Sequence, residues 1–202
     1  MKVEKSKSKS KSKSKSDSKS KDSKSKIDIN VVKSTPGPVI LVTGTPGTGK
    51  STILKESELN CLNVSELIRT EGLHRGYDEK FDTFIVSDKK TRKRLLQLIP
   101  EEAAKGPLLI ECHSCGIFDK DEMEALVDRV LVLRCRTDVI FDRLSARGYS
   151  QKKRDENVEC EIMGICEEEA REVFSSVPVD VFDNNNTDDK EHILKFLKNI
   201  PK

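Results

Sequence analysis

The sequence has few aromatic residues and no long hydrophobic run. It contains two Tyr, seven Phe and no Trp among 202 residues. A membrane-spanning helix needs about 20 consecutive apolar residues, and no stretch approaches that length. A signal peptide would need an apolar core near the N-terminus, which instead alternates Lys and Ser. We therefore expect a soluble, intracellular protein with no membrane partner.

Paired cysteines with metal-binding spacing are also lacking. Of the six cysteines, only Cys112 and Cys115 are separated by two intervening residues, and the sequence has no second pair with this spacing. A zinc site would need a matching second pair, and the other spacings do not suggest a disulfide framework. We expect most of these cysteines to be buried free thiols.

Apolar residues are almost absent before Ile27, where the chain is strongly basic. Residues 1–33 contain 12 Lys and four acidic residues, a net charge of +8, whereas the remainder carries 25 basic and 31 acidic residues, a net charge of −6. Such a segment cannot bury enough surface to offset its ordering entropy. We expect residues 1–35 to be a disordered tail and residues 36–202 to form one domain. The tail either contacts nucleic acid or an acidic protein surface, or only keeps the chain soluble.

After the tail, the chain is organised around VILVTGTPGTGKST at residues 39–52. An apolar run that ends in glycines predicts a buried parallel strand, a turn and then a helix from about Gly49. Gly44 and Gly49 bracket four residues, so backbone N–H groups can converge on phosphate oxygens. In this P-loop pattern Lys50 reaches the β and γ phosphates and Ser51 offers its hydroxyl to Mg²⁺. The alternative is a plain glycine turn.

Further short apolar segments alternate with helical patterns, which predicts an α/β fold with a doubly wound parallel sheet. Segment 76–82 is glycine-rich and polar, so we expect an irregular binding loop there. Later strands are expected at residues 61–64, 108–112, 130–134 and 179–182. Helices are expected at residues 49–58, 65–72, 87–106 with an interruption near Pro100, 119–126, 137–147, 156–175 and 188–197.

Charged and polar side chains mark candidate phosphate contacts. Glu111 ends an apolar strand, where a Walker B carboxylate would order Mg²⁺, unless it is only a surface residue. Arg143 and Arg147 lie on one helical face, which favours a bound polyphosphate over two solvated arginines. The basic, glycine-hinged segment 148–154 is typical of a lid. The turn at 184–186 follows a parallel strand, at the ligand-binding edge of such a sheet.

Five sequence blocks occur in a recognisable order. They are GTPGTGKST at 44–52, NVSEL at 63–67 followed by Arg69, GYDE at 76–79, ECH at 111–113, and RGY at 147–149 followed by two lysines. From Val39 onward the chain thereby resembles the adenylate kinase isoenzyme 6 family, small kinases also described as nuclear ATPases of small-subunit ribosome assembly. The P-loop is shared with thousands of proteins, whereas GYDE and ECH are more specific.

The resemblance implies a five-stranded parallel sheet of order 2-3-1-4-5 with helices on both faces, a short lid and an AMP-binding region from Asn63 to about Val86. Together with the patterns above, it gives the catalytic candidates Lys50, Arg143, Arg147 and His113. The ATP-binding candidates are Gly47, Gly49, Lys50, Ser51, Thr52, Arg147, Asn185 and Asn186. The AMP-binding candidates are Asn63, Arg69, Gly76, Tyr77 and Asp78, and the Mg²⁺ candidates are Ser51 and Glu111.

The chain departs from the family pattern in two places within the domain. Asp is typical where this chain has Glu111, and the extra methylene could displace Mg²⁺ or a bridging water and lower activity. The stretch from Thr52 to Asn63 is shorter by about one helical turn. The Lys-Ser tail lies outside the resemblance.

Two functional hypotheses of different classes follow. The first is an Mg²⁺-dependent nucleoside monophosphate kinase that transfers the γ-phosphoryl of ATP to AMP, and acts as an ATPase when water replaces the acceptor. The second is a nucleotide-switched assembly factor that binds a small-subunit ribosomal protein or rRNA. Another small-molecule P-loop kinase is a third alternative, disfavoured by the GYDE block. We expect a monomer located in nucleus and cytoplasm.

Overall fold

The central sheet consists of five parallel strands in the computed structural model, which describes residues 37–79, 83–118 and 123–200. The strands are β1 (Val39–Thr43), β2 (Asn60–Asn63), β5 (Leu108–Glu111), β6 (Arg129–Arg134) and β7 (Val179–Asp183). Their order across the sheet is β2-β5-β1-β6-β7. The predicted order 2-3-1-4-5 of the parallel strands is therefore confirmed. The predicted tail and residues 119–122 of the helix predicted at 119–126 lie outside the described residues.

The region predicted as an irregular loop forms a second, two-stranded sheet. β3 (His74–Asp78) pairs antiparallel with β4 (Thr83–Val86), so the prediction was wrong for residues 76–78, whereas residues 80–82 lie outside the described ranges. The Phe84 ring lies 4.4 Å from the His74 ring and 5.2 Å from the Tyr77 ring, measured between centroids. These cross-strand ring contacts stabilise a pair of strands that is otherwise polar.

Helices cover both faces of the parallel sheet, as predicted. They are α1 (Lys50–Ser57), α2 (Val64–Thr70), α3 (Asp88–Ala103), α4 (Thr137–Ala146), α5 (Gln151–Met163), α6 (Ile165–Val173) and α7 (Thr187–Lys198), with short 3₁₀ helices at Cys115–Ile117 and Glu124–Leu126. Side chains of β1 alternate between the two faces. Val39 and Leu41 pack with α2, α3 and α6, whereas Ile40 and Val42 pack with α1 and α7.

One predicted helix interruption does not occur. α3 continues through Pro100 to Ala103. Leu95, Ile99 and Ala103 are all buried on one face of α3 and pack in the hydrophobic core beside the sheet. Tertiary packing therefore holds the last turn in helical form despite the backbone N–H that proline lacks.

Conversely, the helix predicted at 156–175 is divided in two. Gly164 has φ of 68° and lies between α5 and α6, with its N–H directed at the carbonyls of Cys160 and Glu161. Glycine adopts this left-handed conformation without a side-chain clash, so it ends a helix readily.

Within the described ranges, no helix is long and apolar enough to cross a membrane.

Candidate active site

The loop between β1 and α1 lies at the carboxyl edge of the parallel sheet, and its glycines are required by close contacts. Gly44, Gly47 and Gly49 have φ of 145°, 99° and 97°. A Cβ on Gly49 would lie 2.3 Å from Nδ2 of Asn184. That amide instead donates to the Thr48 carbonyl at 2.7 Å. The turn after the last strand therefore supports the loop whose N–H groups bind phosphate in P-loop proteins.

Lys50 folds back across its own loop. Its side chain is buried, and Nζ donates to the carbonyl of Gly44 and, at 3.1 Å, to that of Thr45. Burial lowers the pKa of Lys50, although the nearby Glu111 carboxylate opposes that shift. The ammonium thus occupies a poorly solvated position in which an anionic phosphate would be a stronger partner than two carbonyls.

The two Mg²⁺ candidates are in direct contact. The Ser51 hydroxyl donates to Oε1 of Glu111 at 2.8 Å, and Asn63 donates through Nδ2 to Oε2 at 2.7 Å. A hydroxyl and a carboxylate are hard oxygen donors, and Mg²⁺ in kinases is held by few protein groups together with phosphate oxygens. The residues present therefore fit Mg²⁺. No group of three or more His, Cys, Asp or Glu that could hold a metal occurs in the described part of the chain.

Two cavities flank the P-loop, and Gly47, Gly49 and Arg147 border both of them. The first, about 510 Å³, is also lined by Pro46, Lys50, Ser51, Ser65, Thr83, Glu111, His113, Tyr149, Lys153, Glu156, Asn157 and Cys160. The second, about 600 Å³, is also lined by Thr52, Arg143, Ala146, Asn184, Asn185, Asn186, Thr187 and Lys190. We call them the acceptor-side cavity and the nucleoside-side cavity, after the substrates that the family resemblance implies on the two sides of the P-loop. The P-loop thus faces two separate spaces.

The two predicted arginines differ in their surroundings. Arg143 donates through Nη1 to the Gly47 carbonyl at 3.1 Å and through Nη2 to that of Asn185 at 3.4 Å. It therefore ties α4 to the P-loop and to the turn after β7. Arg147 is exposed at the end of α4 and borders both cavities. Arg147 is thus the arginine placed to contact groups on either side.

His113 lies in the acceptor-side cavity, with Nδ1 3.4 Å from the Gly44 carbonyl oxygen. Desolvation by the surrounding chain, and then the charge of Lys50, lower the pKa of His113, although part of the side chain contacts solvent. This shift favours the neutral imidazole, which can both donate and accept a hydrogen bond.

None of the five AMP-binding candidates lines the acceptor-side cavity. Arg69 is exposed and lies 3.7 Å from Glu66, with which it forms an ion pair. Gly76, Tyr77 and Asp78 lie in β3 and do not border either cavity. Asn63 caps α2: its Oδ1 accepts from the Glu66 N–H at 2.9 Å. Ser65 and Thr83 instead line the cavity on this side.

The predicted residues Asn185 and Asn186 border the nucleoside-side cavity, and the side-chain oxygen of each accepts a hydrogen bond from a backbone N–H. Asn185 accepts at Oδ1 from the Arg136 N–H at 2.7 Å, and Asn186 caps α7 by accepting from the Asp189 N–H at 3.0 Å. Thr52, the other candidate on this side, also borders the cavity. This turn therefore lies at the carboxyl edge of the sheet, where its backbone could contact the base of a bound nucleotide.

Sequence reasoning missed two buried residues that support the P-loop. Asn184 was not singled out, although its neighbours in the turn were. Glu161 in α5 accepts from the Thr45 hydroxyl at 2.5 Å and from the Cys135 N–H at 2.8 Å. It lies within a stretch predicted only as an amphipathic helix, and no sequence signal separates it from the exposed glutamates nearby. Its contacts connect α5, which begins within the segment predicted as a lid, to the P-loop.

Comparison with known proteins agrees with this geometry. The family described as AAA domain matches residues 40–164. A Schizosaccharomyces pombe protein named adenylate kinase isoenzyme 6 homolog is 40% identical over 68% of this chain and 76% of its own length. A Caenorhabditis elegans protein of the same name is 36% identical over 78% of this chain and 86% of its own length.

Solved structures show the same fold at low sequence identity. A shikimate kinase from Bacteroides thetaiotaomicron matches with a TM-score of 0.54 and 16% identity, covering 80% of this chain and 96% of its own. A gluconokinase from Sinorhizobium meliloti matches with a TM-score of 0.51 and 16% identity, covering 81% and 93%. The resemblance inferred from the motifs is confirmed by the closer sequence relatives: the chain belongs to the adenylate kinase isoenzyme 6 family, within the P-loop nucleotide kinases.

Proposed function

We propose that the protein transfers the γ-phosphoryl group of ATP to AMP in the presence of Mg²⁺ and forms two molecules of ADP. The observation that carries this proposal is the pair of cavities that share Arg147 and the P-loop glycines. A kinase needs two substrates held in line on either side of the transferred group. A binding site for one nucleotide alone would need only one such space.

Catalysis in this proposal needs no protein base. The phosphate of AMP is already anionic, so the protein must align two anions and neutralise their repulsion. Lys50 and Arg147 supply positive charge at the P-loop, and Arg143 holds the loop against α4. Ser51 and Glu111 would hold Mg²⁺, which supplies additional positive charge at the phosphate oxygens when bound. Arg69 and the candidates in β3 would contact AMP in this cavity only after α2 or the pair of strands β3 and β4 moved toward it.

The direct test is to mix the purified full-length chain with ATP, Mg²⁺ and each nucleoside monophosphate in turn. We expect ADP to form fastest with AMP, in amounts that exceed free phosphate. Phosphate release that is independent of every monophosphate would contradict the kinase proposal and favour an ATPase. Transfer only to a compound that is not a nucleotide would contradict the acceptor assignment.

His113→Ala is expected to lower ATP hydrolysis more than AMP phosphorylation. Hydrolysis needs a water molecule held as the nucleophile, and a neutral imidazole beside the P-loop can hold one, whereas AMP supplies its own nucleophile. We expect the ratio of phosphate to ADP to fall by about 10-fold. His192, whose ring packs on Phe182 away from the cavities, provides the control His192→Ala. An equal loss of both activities would show that His113 does not act through water.

A second function as a nucleotide-dependent assembly factor for the small ribosomal subunit is supported by the charge distribution. The basic tail of residues 1–33 carries +8 and the remainder −6. Spaced lysines neutralise phosphates without sequence preference, which suits rRNA or an RNA-bound ribosomal protein. This function would place a monomeric protein in the nucleus as well as the cytoplasm.

Deleting residues 1–33 is expected to weaken RNA binding while nucleotide turnover and the melting temperature stay nearly unchanged. The tail carries 12 of the 37 Lys and Arg residues and a net charge of +8, but almost no apolar surface. Titration of a labelled RNA at several salt concentrations measures this directly, because each phosphate contact adds to the salt dependence of the affinity. Equal RNA affinity and an equal salt dependence with and without the tail would contradict the prediction.

A further inference from the structure

Asn63 lies between the candidate Mg²⁺ site and the helix on the acceptor side. It is the last residue of β2 and the N-cap of α2. The parallel register pairs it directly with Glu111, the last residue of β5. Paired residues of adjacent strands project from the same face of a sheet, so these two side chains meet at its carboxyl edge.

The orientation of the Asn63 amide is determined by its two partners. Oδ1 accepts from the Glu66 N–H at 2.9 Å, and Nδ2 donates to Oε2 of Glu111 at 2.7 Å. Exchanging the two ends of the amide would direct an oxygen at the carboxylate and an NH₂ group at a backbone N–H, and both contacts would be repulsive. Only one orientation is therefore compatible with these neighbours.

Glu111 is consequently held at both carboxylate oxygens, each by a different element. Ser51 on the P-loop side bonds to Oε1, and Asn63 on the β2 side bonds to Oε2. A glutamate has one more rotatable side-chain bond than an aspartate, so its carboxylate needs additional contacts to stay in one place. Ser51 would be drawn toward Mg²⁺ on nucleotide binding, which leaves Asn63 to keep the carboxylate oriented.

We propose that Asn63 is a positioning residue for Mg²⁺, which acts by fixing the carboxylate of Glu111 through its amide N–H. The inference rests on the proposed Mg²⁺-ATP site. Groups that orient metal ligands typically change metal affinity or activity by about 10- to 100-fold when they are removed. The hydrogen bond between Asn63 and Glu111 is charge-assisted, so we expect its loss to change Mg²⁺ affinity by a factor in that range.

Two substitutions separate this role from helix capping. Asn63→Ser and Asn63→Asp both keep an oxygen that can cap α2, but neither offers the amide N–H to Glu111. We expect the Mg²⁺ concentration that supports half-maximal binding of a fluorescent ATP analogue to rise about 10-fold or more in Asn63→Ser. Asn63→Asp should change it as well, because two carboxylates that face each other repel and would turn Glu111 out of its position. Binding of the analogue in EDTA should not change.

Asn60 provides a matched control at the opposite end of the same strand. Its Nδ2 donates to Oε2 of Glu102 at 3.1 Å, the same type of contact away from the P-loop. Asn60→Ser should leave the Mg²⁺ requirement unchanged. The double variant Asn63→Ser/Glu111→Gln should require no more Mg²⁺ than Glu111→Gln alone, because Asn63 acts through Glu111.

Wild-type Mg²⁺ dependence in folded Asn63→Ser and Asn63→Asp would overturn the inference, as would strictly additive losses in the double variant. Thermal melting of each variant confirms that it is folded, and Asn63→Asp retains the strongest cap if the serine variant is unstable. The measurement is nucleotide binding rather than phosphoryl transfer. Failure of the wild-type protein to phosphorylate AMP would therefore contradict the proposed function without contradicting this role of Asn63.

Discussion

Lys50→Ala is expected to lower nucleotide turnover at least 100-fold. The substitution removes the buried ammonium that lies against the P-loop carbonyls, and with it a positive charge that would stabilise the transferring phosphoryl. Loss of one preorganised electrostatic contact of this kind raises the barrier by roughly 3 kcal/mol or more. Steady-state measurement of ADP formation with saturating ATP and AMP tests this expectation. Turnover near that of the wild type would contradict the P-loop assignment.

The same substitution should not destabilise the nucleotide-free protein. Burial lowers the pKa of Lys50, so the folded state disfavours its charged form relative to the unfolded chain. At neutral pH, removing that charge should leave the free energy of unfolding unchanged or raise it slightly, as measured by urea denaturation. Lys55 lies exposed on the same helix, and Lys55→Ala should change neither quantity. A large loss of stability in Lys50→Ala would mean that its low turnover results from unfolding and not from the missing ammonium.

The features that could be predicted from the sequence are those set by local composition. β1, β5 and β6 are uninterrupted apolar runs that can only be buried, and the P-loop glycines mark a required backbone conformation. The strand order followed from the family resemblance. Gly164 carried a usable signal that was overlooked, because a glycine in the middle of a predicted helix commonly ends it.

The remaining errors depend on contacts between distant segments. Pro100 continues a helix because buried neighbours hold the turn, which a local rule for proline does not include. β3 and β4 pair through ring contacts across strands that look polar when taken separately. Asn63 meets Glu111 through strand register, 48 positions apart in the sequence. No local pattern contains that register.

The contacts of Glu111 favour one of two expectations for this residue. A glutamate in place of the usual aspartate could misplace the carboxylate, in which case Glu111→Asp would raise activity. In the structure, however, the longer side chain reaches Ser51 and Asn63 with its two oxygens, at 2.8 and 2.7 Å. An aspartate is shorter by one methylene and would have to give up at least one of these contacts. We therefore expect Glu111→Asp to lower Mg²⁺-supported turnover.

Glu111→Gln should have the larger effect, about 10- to 100-fold on Mg²⁺-supported turnover. The amide keeps the shape of the side chain but removes the negative charge that favours Mg²⁺. Its NH₂ group cannot face the Asn63 amide N–H, so its oxygen must turn to Asn63 and its NH₂ group to Ser51, whose hydroxyl would then accept instead of donate. Loss of activity in Glu111→Gln should be partly recovered at high Mg²⁺ concentration, since the defect is in cation binding.

The control for Glu111→Gln is Glu102→Gln, which alters a second glutamate that accepts from an asparagine of β2. Because Glu102 lies away from both cavities, that variant should keep wild-type turnover at every Mg²⁺ concentration. Titration of Mg²⁺ against ADP formation should give the highest turnover in Glu102→Gln, a lower turnover in Glu111→Asp and the lowest in Glu111→Gln. This is the order expected if the Glu111 carboxylate orders the cation. Higher turnover in Glu111→Asp would mean that the contacts with Ser51 and Asn63 hold the carboxylate away from its catalytic position. Equal turnover in all three would place the Mg²⁺ site elsewhere than the end of β5.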